Sequence, residues 1–223
     1  MNFIKGACYF MKVFELDGPV YSILNKIADF LILSILYVIC CIPVITIGAA
    51  TAALSYASIK LVHNEGYVAR NFFDSFRTNF RQATCIWIPA VIFFGIMILN
   101  ILFFLPDSQA SSISQIFLIL NITLLLICAF IFAMVFPLLS RFQNTILHTL
   151  TNAFIMTARR LPWALTASLL VYLPAIIIFF FPVFAVYILA FWCILGFGIF
   201  SYLAAYIYDK KIFSQFIQIT EPF

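Results

Sequence analysis

The sequence predicts an all-α, polytopic membrane protein, and three observations carry that prediction. Of its 223 residues 65% are hydrophobic and only 9% charged, at a mean hydropathy of +1.15, whereas soluble domains carry roughly 25% charged residues. The charges bound long uncharged runs: 30 residues between Asp29 and Lys60, 25 between Arg81 and Asp107, 33 between Asp107 and Arg141, and 48 between Arg160 and Asp209. All twelve Lys and Arg fall into four clusters. Continuous apolar runs of this length exclude a soluble domain and disfavour a transmembrane β-barrel, whose strands alternate apolar and polar in short segments.

Residues 1–16 open the chain. Lys5, Lys12 and Glu15 interrupt any apolar core of a cleavable leader. Ile4, Ala7, Cys8, Met11 and Phe14 recur at helical spacing, which predicts a helix along the inner membrane face.

Spans follow at about 20 residues per crossing of a roughly 30 Å hydrocarbon core. The 25- and 33-residue gaps each suit one tilted helix, 83–105 and 113–137. The 48-residue gap fits two, 162–181 and 184–207, turning at Pro182. The first stretch divides at Pro43 into 22–42 and 44–62, with a long span followed by a re-entrant segment as the rival reading.

Basic residues collect on the cytoplasmic side of short loops. With six spans and both termini in the cytoplasm, every cluster is inside and the outer turns carry none: Lys5, Lys12 and Lys26; Lys60, Arg70, Arg77 and Arg81; Arg141, Arg159 and Arg160; Lys210 and Lys211. Five spans would put at least two clusters outside. Residues 1–223 therefore read as a single membrane domain. The net charge of +4 follows from this topology, and no basic stretch is dense enough to track nucleic acid.

Within the second span, Ala49, Ala53 and Ala57 repeat every four residues with Gly48 and Ala52 beside them. Such a stripe lets helix backbones approach closely in lipid. Intramolecular packing is its direct use, and a narrow substrate path or an unwound turn at 43–48 is the alternative. Asn100 and Asn121, at similar depth on the third and fourth spans, are positioned to hydrogen-bond across their hairpin. Asp29, three residues after Lys26, suits a local ion pair or a snorkelling contact.

Two cytoplasmic segments are amphipathic. Phe72, Phe73, Phe76 and Phe80 make an apolar stripe with Asp74, Arg77 and Arg81 on the other sides, predicting a helix lying in the inner interface. A second segment, Ile146, Leu150, Ala153, Phe154 and Thr157 ahead of Arg159 and Arg160, repeats the pattern, so that Phe76 and Arg81 align with Phe154 and Arg159 as a weak duplication. Both segments admit two readings: contact with anionic lipid headgroups of the bilayer, or docking of a partner such as an ABC-type importer subunit.

Chemistry is sparsely provided. His63 and His148 have no carboxylate or cysteine at ligand spacing, and the six cysteines form no CxxC pair. There is no phosphate loop and no nucleophile elbow. The expectation is a non-enzymatic protein with no metal and no cofactor.

The run FELDGPVYSILNKIADFLILSILYVICCIPVITIGAATAALSYASIKLV, followed by FFDSFRTNFRQAT, resembles the YesL family of bacterial membrane proteins, DUF624. FPLLSRFQNTILHTLTNAFIMTARRLP is similar too, so the likeness runs from about Phe14 to Lys211, with PVITIGAATAAL its most specific part. SILYVICCIP departs from it, since the family's lead into the proline is richer in tryptophan and free of cysteine. The resemblance implies a multi-pass protein of the bacterial cytoplasmic membrane with an accessory role in carbohydrate uptake or utilisation. It supplies no catalytic residues. A cell-envelope scaffold, binding partners or lipids through the cytoplasmic helices, is the alternative from a different class.

Overall fold

A computed structural model describes residues 19–104, 112–142 and 145–213. The predicted 1–16 helix and most of the outer turn after Phe104 lie outside them. Every regular element among the described residues is helical.

Helix α1 (Pro19–Cys41) starts on a proline, whose missing N–H and fixed φ suit a first helical turn. It ends just before Pro43, where a 3-10 turn (Val44–Thr46) reverses the chain. The Thr46 hydroxyl shares its one hydrogen between the carbonyls of Cys40 and Pro43, the first of which is among the acceptors that the end of α1 leaves unpaired. Helix α2 (Ile47–Val62) then runs without interruption, so the reversal needed by a re-entrant segment is absent from 47–62. Asn64 and Gly66 take left-handed φ values of 55° and 69° and turn the chain into α3.

Helix α3 (Val68–Phe104) has 37 residues and a length of about 56 Å. The separate interfacial helix expected at 72–81 is corrected here, because it is the first half of α3. No glycine or proline stands between Val68 and Pro89, so nothing stops the helix. Helix α4 (Ser112–Arg141) descends beside it. The amphipathic α5 (Ile146–Arg159) is a helix of its own, because Arg160, with φ −127° and ψ 43°, breaks the chain ahead of Pro162. The two segments that match in sequence thus fold differently.

Helix α6 (Leu161–Phe180) leads through a 3-10 turn (Pro182–Phe184) into a long C-terminal rod. That rod consists of α7 (Ala185–Phe191), a π segment (Trp192–Gly196), α8 (Phe197–Ile207) and a second π segment (Tyr208–Phe213). Six helical stretches are long and apolar enough to cross a membrane: Ile23–Cys41, Val44–Val62, Val68–Phe104, Ser114–Arg141, Leu161–Phe180 and Pro182–Phe213.

Their surroundings differ sharply. The most apolar window of Val44–Val62 is 61% buried, against 6–17% in the other five. Helix α2 is the axis of the bundle, and its small residues explain why. Gly48, Ala49, Ala52, Ala53 and Ala57 are all buried. A Cβ on Gly48 would sit 2.7 Å from the Trp87 Cβ and 2.9 Å from the Ala83 carbonyl oxygen, so only glycine lets α3 approach there. Ala53, Ala57 and Leu61 share a core cluster with Leu33 of α1 and with Val68 and Phe72 of α3. Helix α2 therefore packs along the charged first half of α3, whose Arg70, Asp74, Arg77 and Arg81 face outward. The apolar second half of α3 presents Ile92, Ile96, Leu99 and Phe103 to the surroundings, as lipid-facing side chains should be.

Candidate functional site

A cavity of about 260 Å³ lies between α1, α2, α3, α4, α6 and the C-terminal rod. This is just below the roughly 300–1,000 Å³ of pockets that take drug-sized ligands, so it has room for a smaller molecule. None of its lining residues is Asp, Glu, Lys, Arg or His. Its walls are aromatic and aliphatic, edged by hydroxyls.

Local features of the chain build each wall. Trp87 is fixed by donating its indole N–H to the Val44 carbonyl at 2.9 Å, which also holds the α1–α2 turn against α3. Its ring contacts Phe132 and Phe136 of α4. The first π segment, ending on Gly196, lets Trp192 fold back along its own helix: a Cβ on Gly196 would be 2.8 Å from the Trp192 ring. Trp192 then stacks on Phe200, with ring centroids 4.7 Å apart and planes 9° from parallel. Thr51 and Ser55, one turn apart on α2, bond to the carbonyls of Ile47 and Thr51. Tyr172 and Tyr208 reach the carbonyls of Ala129 and Ala133 on α4. Ser201 meets Ser58 at 2.8 Å.

A polar cluster closes the bundle at the end where α2, α4 and the rod finish. Asp209, with a side chain 10% exposed, meets His63 Nε2 at 2.8 Å and the Arg141 guanidinium at 3.5 Å. His63, which has no carboxylate at ligand spacing along the sequence, meets one in the fold because Asp209 comes from 146 residues downstream. Lys60, in the last turn of α2, hydrogen-bonds Glu65 of the following loop, and that bond with its charge holds the Glu65 carboxyl below its ordinary pKa.

Asp209→Ala is expected to cost about 2 kcal/mol, less than the 3–5 of a fully buried pair because His63 and Arg141 can still reach water. Thermal unfolding in detergent checks this. A double-mutant cycle with His63→Ala should return a coupling above about 0.5 kcal/mol, and simple additivity would show the contact to be inert.

The candidate contact residues are divided by the structure. Phe72 is fully buried and presents no surface to lipid or to a partner, while Phe76 and Phe80 are half-buried, each with part of its ring packed against the core. In lipid the stripe gains more by close packing on the alanines of α2 than by facing acyl chains. Phe73, Arg77 and Arg81 remain exposed. On α5, Thr149, Ala153, Met156 and Thr157 face inward while Leu147, Leu150 and Phe154 face outward; Arg159 is exposed and Arg160 half-buried. The expected bond between Asn100 and Asn121 does not form: Asn100 is exposed, and the buried Asn121 Oδ1 has no hydrogen-bond partner. Among the described residues no ion pair joins Lys26 to Asp29, and no three potential ligands gather as a metal site.

Five apolar helices around a sheathed sixth define a multi-pass α-helical membrane protein. Residues 30–101, from the middle of α1 nearly to the end of α3, match the family described as "Protein of unknown function, DUF624". That stretch contains the whole of α2, its small-residue stripe and Trp87. No curated protein and no solved structure matches the chain.

Proposed function

We propose that the protein is a non-enzymatic accessory to carbohydrate uptake or utilisation in the bacterial cytoplasmic membrane, acting beside an ABC-type sugar importer. The observation that carries this reading is the neutral, aromatic-walled cavity inside the bundle. Aromatic faces and hydroxyls without a fixed charge suit a small uncharged ligand. The resemblance to DUF624 adds the carbohydrate context. In this arrangement both termini and all basic clusters are cytoplasmic, and a reporter fused after Asp107 should report an outer location.

Two measurements test the role. Importer subunits should co-purify from native membranes with the wild-type protein, and less so when Arg77 and Arg81 are both changed to Glu. A deletion strain should grow more slowly on particular sugars and normally on others. Uniform growth on every carbon source, together with no importer subunit in the purified material, would sink the proposal.

One observation favours a second reading, a cell-envelope scaffold. The outward Leu147, Leu150 and Phe154 of α5, next to Arg159 and Arg160, form an apolar and basic face suited to an anionic bilayer surface. Recovery of envelope-assembly proteins in place of importer subunits would favour it.

A further inference from the structure

The hydroxyls around the cavity have a polarity of their own. Thr51 donates to Ile47 O at 2.7 Å, Ser55 to Thr51 O at 2.9 Å, and Tyr172 to Ala129 O at 2.8 Å. Tyr208 donates to Ala133 O at 3.4 Å. The Thr51 proton being committed, Tyr37 is the donor in its 3.5 Å contact with Thr51. A hydroxyl has one hydrogen and two lone pairs. Five hydroxyls on four helices therefore spend their hydrogens on the protein and keep lone pairs. Among the tryptophans of the cavity, Trp87 has its N–H on Val44, while the Trp192 N–H forms no hydrogen bond with the protein.

We propose that this cavity binds an uncharged polyhydroxy molecule of about monosaccharide size, holding it through hydrogen bonds that the ligand donates. The inference rests on the cavity being the ligand site of the carbohydrate accessory. A set dominated by acceptors recognises a ligand by its donors, and a hydroxyl-rich ring supplies several while turning a C–H face to the aromatic wall. The Trp192 N–H donates to one oxygen of the same ligand. A carboxylate or phosphate would meet lone pairs with no cation to offset its desolvation. An ammonium ion would likewise lack a counter-charge in the lining.

The full-length protein in lipid nanodiscs, followed by tryptophan fluorescence, provides the test, because Trp87 and Trp192 both line the site. The probes are a methyl glucoside, a methyl galactoside and their fully O-methylated counterparts, which keep every oxygen but have no hydroxyl hydrogen. At least one free glycoside is expected to shift the emission saturably, and its O-methylated form to bind at least about tenfold more weakly, since each lost hydrogen bond is worth about a factor of five. Thr51→Val and Ser55→Ala, both checked for an unchanged elution profile, should each weaken the free glycoside by about that factor.

Equal binding of free and O-methylated forms would overturn the donor rule while leaving the cavity as a ligand site. Binding of neither would overturn the inference, and the sugar-dependent growth of the deletion strain would then judge the accessory role separately.

Discussion

Phe72→Ala is expected to lower stability by about 3 kcal/mol, while Phe73→Ala, one residue on, should cost less than about 1 kcal/mol. The Phe72 ring is fully buried in the cluster of Leu33, Ala53, Ala57, Leu61 and Val68. It lies nearly parallel to Phe76, with centroids 6.3 Å apart and planes at 14°. Truncation leaves a hole between α1, α2 and α3 that three helices tied by short turns cannot easily close. Phe73 is 42% exposed, and its removal opens no cavity. Unfolding of both variants in detergent decides the matter. If the stripe instead served a partner, Phe72→Ala would melt with the wild type and lose only partner capture.

The same pair of residues shows how far a membrane sequence can be read. Charges are costly in hydrocarbon, so their positions bounded the long apolar runs, and Pro43 and Pro182 then divided these into six helices. The small residues of α2 were also legible, because in lipid a stripe of glycine and alanine has close helix packing as its main use. A phenylalanine stripe carries no such information. In water an apolar face must find a core, but in a bilayer lipid and protein interior are equally apolar, and amphipathicity separates only polar from apolar. Phe72 and Leu150 therefore looked alike, although one is sealed inside the bundle and the other is 39% exposed.

The candidate site was less legible than the fold because its parts are remote in sequence. Asp209 reaches His63 across 146 residues, and Ser58 meets Ser201 across 143. Tyr37, Thr51, Tyr172 and Tyr208 sit on four helices, each as an ordinary residue of its own segment. What brings them together is the sheathing of α2, which the alanine stripe announced only in part. The two π segments matter here as well: each inserts an extra residue per turn, rotating Trp192 and Tyr208 towards the cavity and carrying Asp209 to His63. Nothing in the local sequence marks them apart from Gly196.

Gly198→Ala should be as damaging as the loss of Phe72, at about 3 kcal/mol, although it adds a single methyl group. A Cβ at 198 would lie 2.3 Å from the Phe30 carbonyl oxygen, 2.8 Å from its Cα and 2.9 Å from its carbonyl carbon. All three are backbone atoms, so no rotamer change relieves the clash and α8 must move away from α1. That movement strains the bond from Gly198 N–H to the buried Ser34 hydroxyl, 2.8 Å long. It also loosens the Tyr37–Phe197 and Phe30–Tyr202 ring contacts. Tyr37 and Phe197 line the cavity, so ligand binding should fall together with stability. Gly95→Ala is the control: a Cβ there meets nothing within 4 Å, and the better helix former should raise stability by up to about 1 kcal/mol. Thermal unfolding of the two variants in one detergent should move in opposite directions. Were Gly198→Ala to melt with the wild type, the close α1–α8 crossing could not be what holds the rod against the rest of the bundle.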